Sequence, residues 1–94
     1  MMIVGTSKIN LRIEWADSLK AKRSVVKGII GKVQAKFNVS IAEVGSMDMH
    51  KDAEIGYACV TNETRHAQST LLNVLKFIEA NTEAVVTDVE TEIL

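Results

Sequence analysis

The chain predicts an α+β fold, two helices on one face of a four-stranded antiparallel sheet, and three observations carry that expectation. Apolar and polar residues alternate from Ile9 to Trp15, the period of a half-buried strand, and from Val85 to Leu94 a β-branched set at every second position alternates with a largely acidic one. Between these lie two stretches with helical spacing of apolar residues, one ending near Phe37 and one near Ile78. The segment that joins them, Val39 to Thr61, holds two apolar runs around a polar middle and reads as a hairpin.

The first strand sets Ile9, Leu11, Ile13 and Trp15 against Lys8, Asn10, Arg12 and Glu14. Asp17 or Ser18 is placed to cap the first helix by offering a side-chain oxygen to its free N–H groups. That helix has an apolar stripe of Leu19, Val26, Ile30, Val33 and Phe37, with Asn38 as its C-terminal stop. Val39 to Gly45 and Ala53 to Thr61 are rich in β-branched and apolar residues, and the turn between them, Ser46 to Asp52, exceeds the tight two-residue kind. Asn62 or Thr64 opens the second helix, with Ala67, Leu71, Val74, Leu75 and Ile78 on one face and Asn81 near its end. The last strand alternates Val85, Thr87, Val89, Thr91 and Ile93 with Val86, Asp88, Glu90, Glu92 and Leu94.

Right-handed crossovers turn this β-α-β-β-α-β order into a split βαβ arrangement with sheet order 4-1-3-2, the ferredoxin-like architecture. The first and last strands become antiparallel neighbours, so Asp88, Glu90 and Glu92 are expected to face Lys8 and Arg12. Both faces of the third strand are compatible with burial. The expectation adopted is that the small residues lie under the helices and Tyr57 on the open face.

Ninety-four residues make one domain, 1–94, with a single core. The first residues lack the long apolar core of a secretion signal, and no apolar run approaches the roughly 20 residues that span a bilayer, so a cytoplasmic protein without membrane association is expected. Cys59 is the only cysteine, which excludes an internal disulfide and a CxxC metal knuckle and suits a small buried hydrophobe. Asp48, His50 and Asp52 alternate, but a turn does not hold them as metal ligands, and neither a metal nor a cofactor is expected. No Ser-His-Asp or Cys-His set and no glycine-rich phosphate loop is present, so the chain reads as a non-enzyme.

Charge is the most informative functional signal. Lys20, Lys22, Arg23, Lys27, Lys32 and Lys36 follow one another with no acidic residue between them, while Glu79, Glu83, Asp88, Glu90 and Glu92 close the chain without a basic one. Cations at a helix N-terminus oppose the helix dipole and its free N–H groups, and together they make a site for phosphate. Lys20, Lys22, Arg23 and Lys27 are therefore the candidate nucleic-acid or anion-binding residues, with pairing of Asp48 to Lys22 or Arg23 as the alternative. On the same helix Ala21, Ser24, Gly28, Gly31 and Ala35 form a small-residue face; Ser24, Gly28 and Gly31 are the candidate seam for a partner helix. Stacking of RNA bases on aromatics of an open sheet is not expected, because Tyr57 alone is a candidate for that face.

The strings Ser18-Leu19-Lys20-Ala21-Lys22-Arg23-Ser24-Val25-Val26-Lys27 and Phe37-Asn38-Val39-Ser40-Ile41-Ala42-Glu43-Val44-Gly45, followed by Asp48 and Ala53, resemble the YlxP-like family of small bacterial proteins. The resemblance spans nearly the whole chain and implies a ferredoxin-like domain of unknown function, often encoded beside genes for translation and ribosome maturation. The chain departs from the family at His50, where Trp is common. The expected function is contact with RNA or a ribosomal particle through the basic first helix; the alternative is a homo-oligomeric protein–protein adaptor that binds no nucleic acid.

Overall fold

The first strand begins well before the alternating stretch, and the residues at its buried positions explain why. In the computed structural model, which describes residues 1–94, β1 spans Ile3–Arg12, and its positions facing the helices include Gly5, Ser7, Ile9 and Leu11. Gly5 and Ser7 are small, so the alternation is hidden at the sequence level. Ser7 Oγ is satisfied by Thr91 Oγ1 at 3.0 Å. Gly5 lies directly beneath the second helix: a Cβ there would stand 3.0 Å from Leu71 Cδ1 and 3.1 Å from Ala67 Cβ. Gly5→Val is expected to destabilise the protein by about 1–3 kcal/mol through overpacking, more than the ~0.5–1 kcal/mol returned by a less flexible backbone. Chemical denaturation measures it, and an unchanged midpoint would show that the helix yields.

Trp15 does not end the strand. The chain leaves β1 through a hydrogen bond from Ile13 N–H to Lys51 O (2.7 Å) and a turn closed by Ala16 N–H to Ile13 O (3.1 Å), leaving Trp15 half exposed while Ile13 and Ala16 are fully buried. α1 then runs Leu19–Lys36, β2 Ser40–Gly45, β3 Asp52–Thr61, α2 Thr64–Ala80 and β4 Val85–Ile93. Ser18 caps α1, its Oγ accepting from Ala21 N–H at 3.0 Å. Neither Asn62 nor Thr64 caps α2; Glu63 stands at that position without a side-chain cap. At the other end Asn81 Nδ2 donates to Phe77 O at 2.8 Å.

All strand pairs are antiparallel and the sheet order is β2-β3-β1-β4, the expected 4-1-3-2 read from the other edge. Both helices cover one face. α1 lies over β2 and β3, and α2 over β1, β3 and β4. The core between the layers is built from Ile9, Leu11, Ile41, Ile55, Val26, Val33, Leu71, Val74 and Ile78 with their neighbours.

Two face assignments differ from the sequence expectation. In β3 it is Ile55, Tyr57 and Cys59 that lie under the helices, while Gly56 and Ala58 belong to the open face. The phenol reaches the backbone of α2, its hydroxyl donating to Leu71 O at 3.2 Å, so a large ring is buried with its polar tip satisfied. Burial raises the Tyr57 pKa above its ordinary value, against the opposing effect of Ser7. In β4 the pairing with β1 slips between Asp88 and Val86, leaving Thr87 as a bulge. Val86 thereby turns inward against the core and Val85 faces out opposite Arg12. Lys8 meets β4 as anticipated, with Glu90 at 3.5 Å, and also Glu54 of β3 at 4.0 Å. Arg12 pairs instead with Glu14 (2.7 Å) and Asp52 (2.9 Å).

Candidate functional site

The outer surface of α1 is the most strongly charged part of the molecule. Lys20, Arg23, Lys27, Lys32 and Lys36 are all exposed, and none lies within 4.0 Å of a carboxylate oxygen. The first turn of α1 holds no acidic residue, so Lys20 stands unanswered at the positive end of the helix dipole. Three of the four candidate anion-binding residues, Lys20, Arg23 and Lys27, are thus accessible.

The fourth is not. Lys22 is fully buried, on the line of Val26, Ile29 and Val33 that faces the sheet. Its ammonium lies 2.9 Å from Glu43 Oε2, whose side chain is 12% exposed, and donates to Ser46 O (2.8 Å) and Asp52 O (3.2 Å). The Lys22–Glu43 contact is an ion pair off the hydrogen-bond direction, and Glu43 Oε2 has no other partner. Asp48, offered on sequence grounds as the residue to answer Lys22 or Arg23, is exposed and makes no ion pair; Glu43 takes that role from the helix-facing side of β2. Lys22 thereby ties α1 to both ends of the β2–β3 turn, whose first residue, Ser46, has the left-handed φ of 56°. A non-glycine residue there costs on the order of 1–2 kcal/mol, which the bond from Lys22 to the Ser46 carbonyl helps to offset. His50 lies exposed in the same turn, and no group of three or more His, Cys, Asp or Glu side chains is placed to hold a metal ion.

Between the lysines Ser24, Gly28, Gly31 and Ala35 are exposed, and a Cβ added at either glycine would meet nothing within 4 Å. Packing within the fold therefore does not require those glycines. Gly28→Ala and Gly31→Ala are each expected to raise stability by about 0.5–1 kcal/mol, read as a higher denaturation midpoint; a lowered midpoint would show a backbone requirement at that position.

The open face of the sheet has the opposite sign. By register Asp52, Glu54, Asp88, Glu90 and Glu92 share it with Lys8 and Arg12 only. No aromatic residue lies on it, since Tyr57 points the other way. A shallow depression of about 600 Å³ at its centre is lined by small side chains, among them Ser40, Ala42, Gly56 and Ala58. At the far end of α1 the rings of Phe37 and Phe77 meet edge to face, centroids 5.4 Å apart, with Lys36 Nζ 4.9 Å from the Phe77 centroid. Sequence reading places Phe37 on the apolar stripe of the first helix, leaves Phe77 off that of the second, and misses this meeting; the available signal was a lysine beside an aromatic at each helix end, Lys36-Phe37 and Lys76-Phe77.

These features define a small ferredoxin-like α+β protein with a cationic helical layer over an acid-rich sheet. The chain belongs to the DUF503 family, described as "Protein of unknown function (DUF503)", whose pattern matches residues 4–91. It is 38% identical over 90 residues to "Uncharacterized protein YlxP" of Bacillus subtilis (strain 168), a match covering 96% of this chain and 98% of that protein. The YlxP-like resemblance seen in the two strings is thus borne out. Among solved structures, the de novo designed protein Foldit4 superposes with a TM-score of 0.57 at 14% identity, over 100% of this chain and 97% of that one. A second de novo design, determined by solution NMR and titled as having a ferredoxin fold, gives 0.55 at 22% identity over 98% and 88%. At such identities the likeness concerns the fold alone. No helix is long and apolar enough to cross a membrane.

Proposed function

We propose that this is a cytoplasmic, non-enzymatic binding protein that contacts structured RNA or a ribosomal particle through the outer surface of α1. The observation that carries the proposal is the set of five exposed cations of α1, on both flanks of its bare face, without a carboxylate partner, in a chain whose 11 basic and 12 acidic residues nearly cancel. Five of the 12 acids, Asp52, Glu54, Asp88, Glu90 and Glu92, share the opposite, sheet side with two cations, and that side would repel a phosphate backbone and lacks the rings for base stacking. Docking is thereby directed to the helical side, where phosphate contacts need no aromatic platform. The test is binding of a structured RNA as a function of salt. Affinity is expected to fall steeply between low and moderate ionic strength; absence of binding at low salt, or a flat salt response, would overturn the reading.

A homo-oligomeric adaptor is the second reading, favoured by the empty space over Gly28 and Gly31. Such a bare helix face lets another backbone approach closely. Sedimentation of Gly28→Leu and Gly31→Leu variants decides it, because an assembly through this face is expected to dissociate and an unaltered distribution removes the face from consideration.

A further inference from the structure

We propose that the cleft between the C-terminal ends of α1 and α2 takes an unpaired RNA nucleotide, the base against Phe77 and the flanking phosphates on Lys36 and Lys76. The inference rests on the reading of α1 as an RNA-contacting surface and supplies that surface with a site for a single base.

The cleft has a volume of about 520 Å³ and is lined by Lys36, Phe37, Asn73, Lys76, Phe77, Ala80 and Asn81, with no carboxylate. The cleft is a groove open to solvent, with room for one base laid against its wall and the attached phosphates at its rim. Phe37 and Phe77 both pack on the core yet keep part of their rings exposed to this space. Their edge-to-face arrangement, at 74°, leaves ring surface turned to the cleft. That surface is currently attended by the Lys36 ammonium, 4.9 Å from the Phe77 centroid and 5.9 Å from that of Phe37.

Lys36 has no carboxylate partner to hold it there, so a base sliding onto Phe77 displaces a long flexible side chain toward the phosphate that accompanies the base. Base-on-ring stacking with adjacent cations is the chemistry by which single-stranded nucleic acid is held without sequence readout. Amides at the rim add hydrogen-bonding groups for a base edge: Asn73 is exposed, and Asn81, whose Nδ2 is engaged by Phe77 O, retains its Oδ1 as an acceptor. Lys36 closes the α1 side of the cleft and Lys32 lies one turn before it on the same flank, across the bare face of Ser24, Gly28 and Gly31 from Lys20, Arg23 and Lys27. An acidic peptide would satisfy the lysines and leave the ring pair unused, which is why a nucleotide is the better match.

The experiment has two arms. In the first, the full chain is titrated with adenosine 5′-monophosphate and, separately, with inorganic phosphate, and backbone amide resonances are followed by NMR. The nucleotide is expected to move Asn73, Phe77 and Asn81 where phosphate does not; identical responses would overturn the site. In the second, an RNA hairpin with a single-stranded bulge is compared with one that is fully paired. Phe77→Leu, which keeps apolar volume and removes the ring, is expected to weaken binding of the bulged RNA by about tenfold and to leave the paired one within about twofold. Asn73→Asp, an exposed change that puts a carboxylate in the cleft, is expected to act in the same direction and guards against a folding defect in Phe77→Leu. If both variants bind bulged RNA as the wild type does, the nucleotide site falls while α1 binding stands. If neither RNA binds but the nucleotide still moves those resonances, the RNA reading falls and the site survives.

Discussion

Lys22→Met is expected to remove about 3–5 kcal/mol of folding stability, the range found when one partner of a buried ion pair is deleted. The change is nearly isosteric, so little of the loss would come from a cavity. It would come from Glu43, left charged beneath α1 with its side chain 12% exposed, and from the carbonyls of Ser46 and Asp52, which lose their donor. Adding Glu43→Leu is expected to recover most of the loss, because replacing both members of such a pair by apolar groups is often neutral or better. Urea denaturation of the two variants tests this. A loss below about 1 kcal/mol for the single variant, or a double variant no more stable than the single, would mean that the pair is not what holds the turn to the helix.

Lys20→Gln/Arg23→Gln/Lys27→Gln is expected to act in the opposite manner, with a large effect on binding and little on the fold. Each phosphate contact removed lowers the slope of log affinity against log salt by about one, so the triple variant should lose up to about three from the slope and bind structured RNA far more weakly at low salt. Stability should change by no more than about 0.5 kcal/mol, since none of the three side chains has an ion-pair partner to lose. Removing Lys20 from the first turn of α1 even relieves an unfavourable interaction with the helix dipole. Retention of wild-type affinity by the triple variant would refute the assignment of α1 as the binding surface. Including Lys22 in the set would confound the result, as its loss unravels the turn rather than a contact.

The architecture was legible because period and punctuation agree along most of the chain. The strand pair of the hairpin, both helices and the sheet order follow from spacing and crossover handedness alone. Errors fall where a residue's chemistry contradicts its position. Lys22 shares the helical spacing of Val26, Ile29 and Val33, but lysine is read as surface; the clue lay in Glu43, an acid alternating with Ile41 at a helix-facing position of β2. Two opposite charges, each in a core position of adjacent elements, are a sequence signature of a buried pair. Both faces of β3 were compatible with burial and Tyr57 was placed outward, whereas the phenol finds Leu71 O and packs its ring inside. The β4 bulge left no mark, since Val85-Val86 is apolar in either register and only the pairing with Leu11 decides which valine turns in. Of the proposed cationic site, the exposed residues were visible in composition; what could not be read was which lysine the core would claim.

The sorting of sign between the two broad sides has a kinetic meaning. A body so polarised does not collide with a polyanion at random angles: the long-range field rotates it during approach, so a larger share of encounters begins with the helices foremost. Association should therefore quicken as ionic strength is lowered while dissociation changes much less. A molecule docked helices first would keep its carboxylate-bearing side turned to solvent.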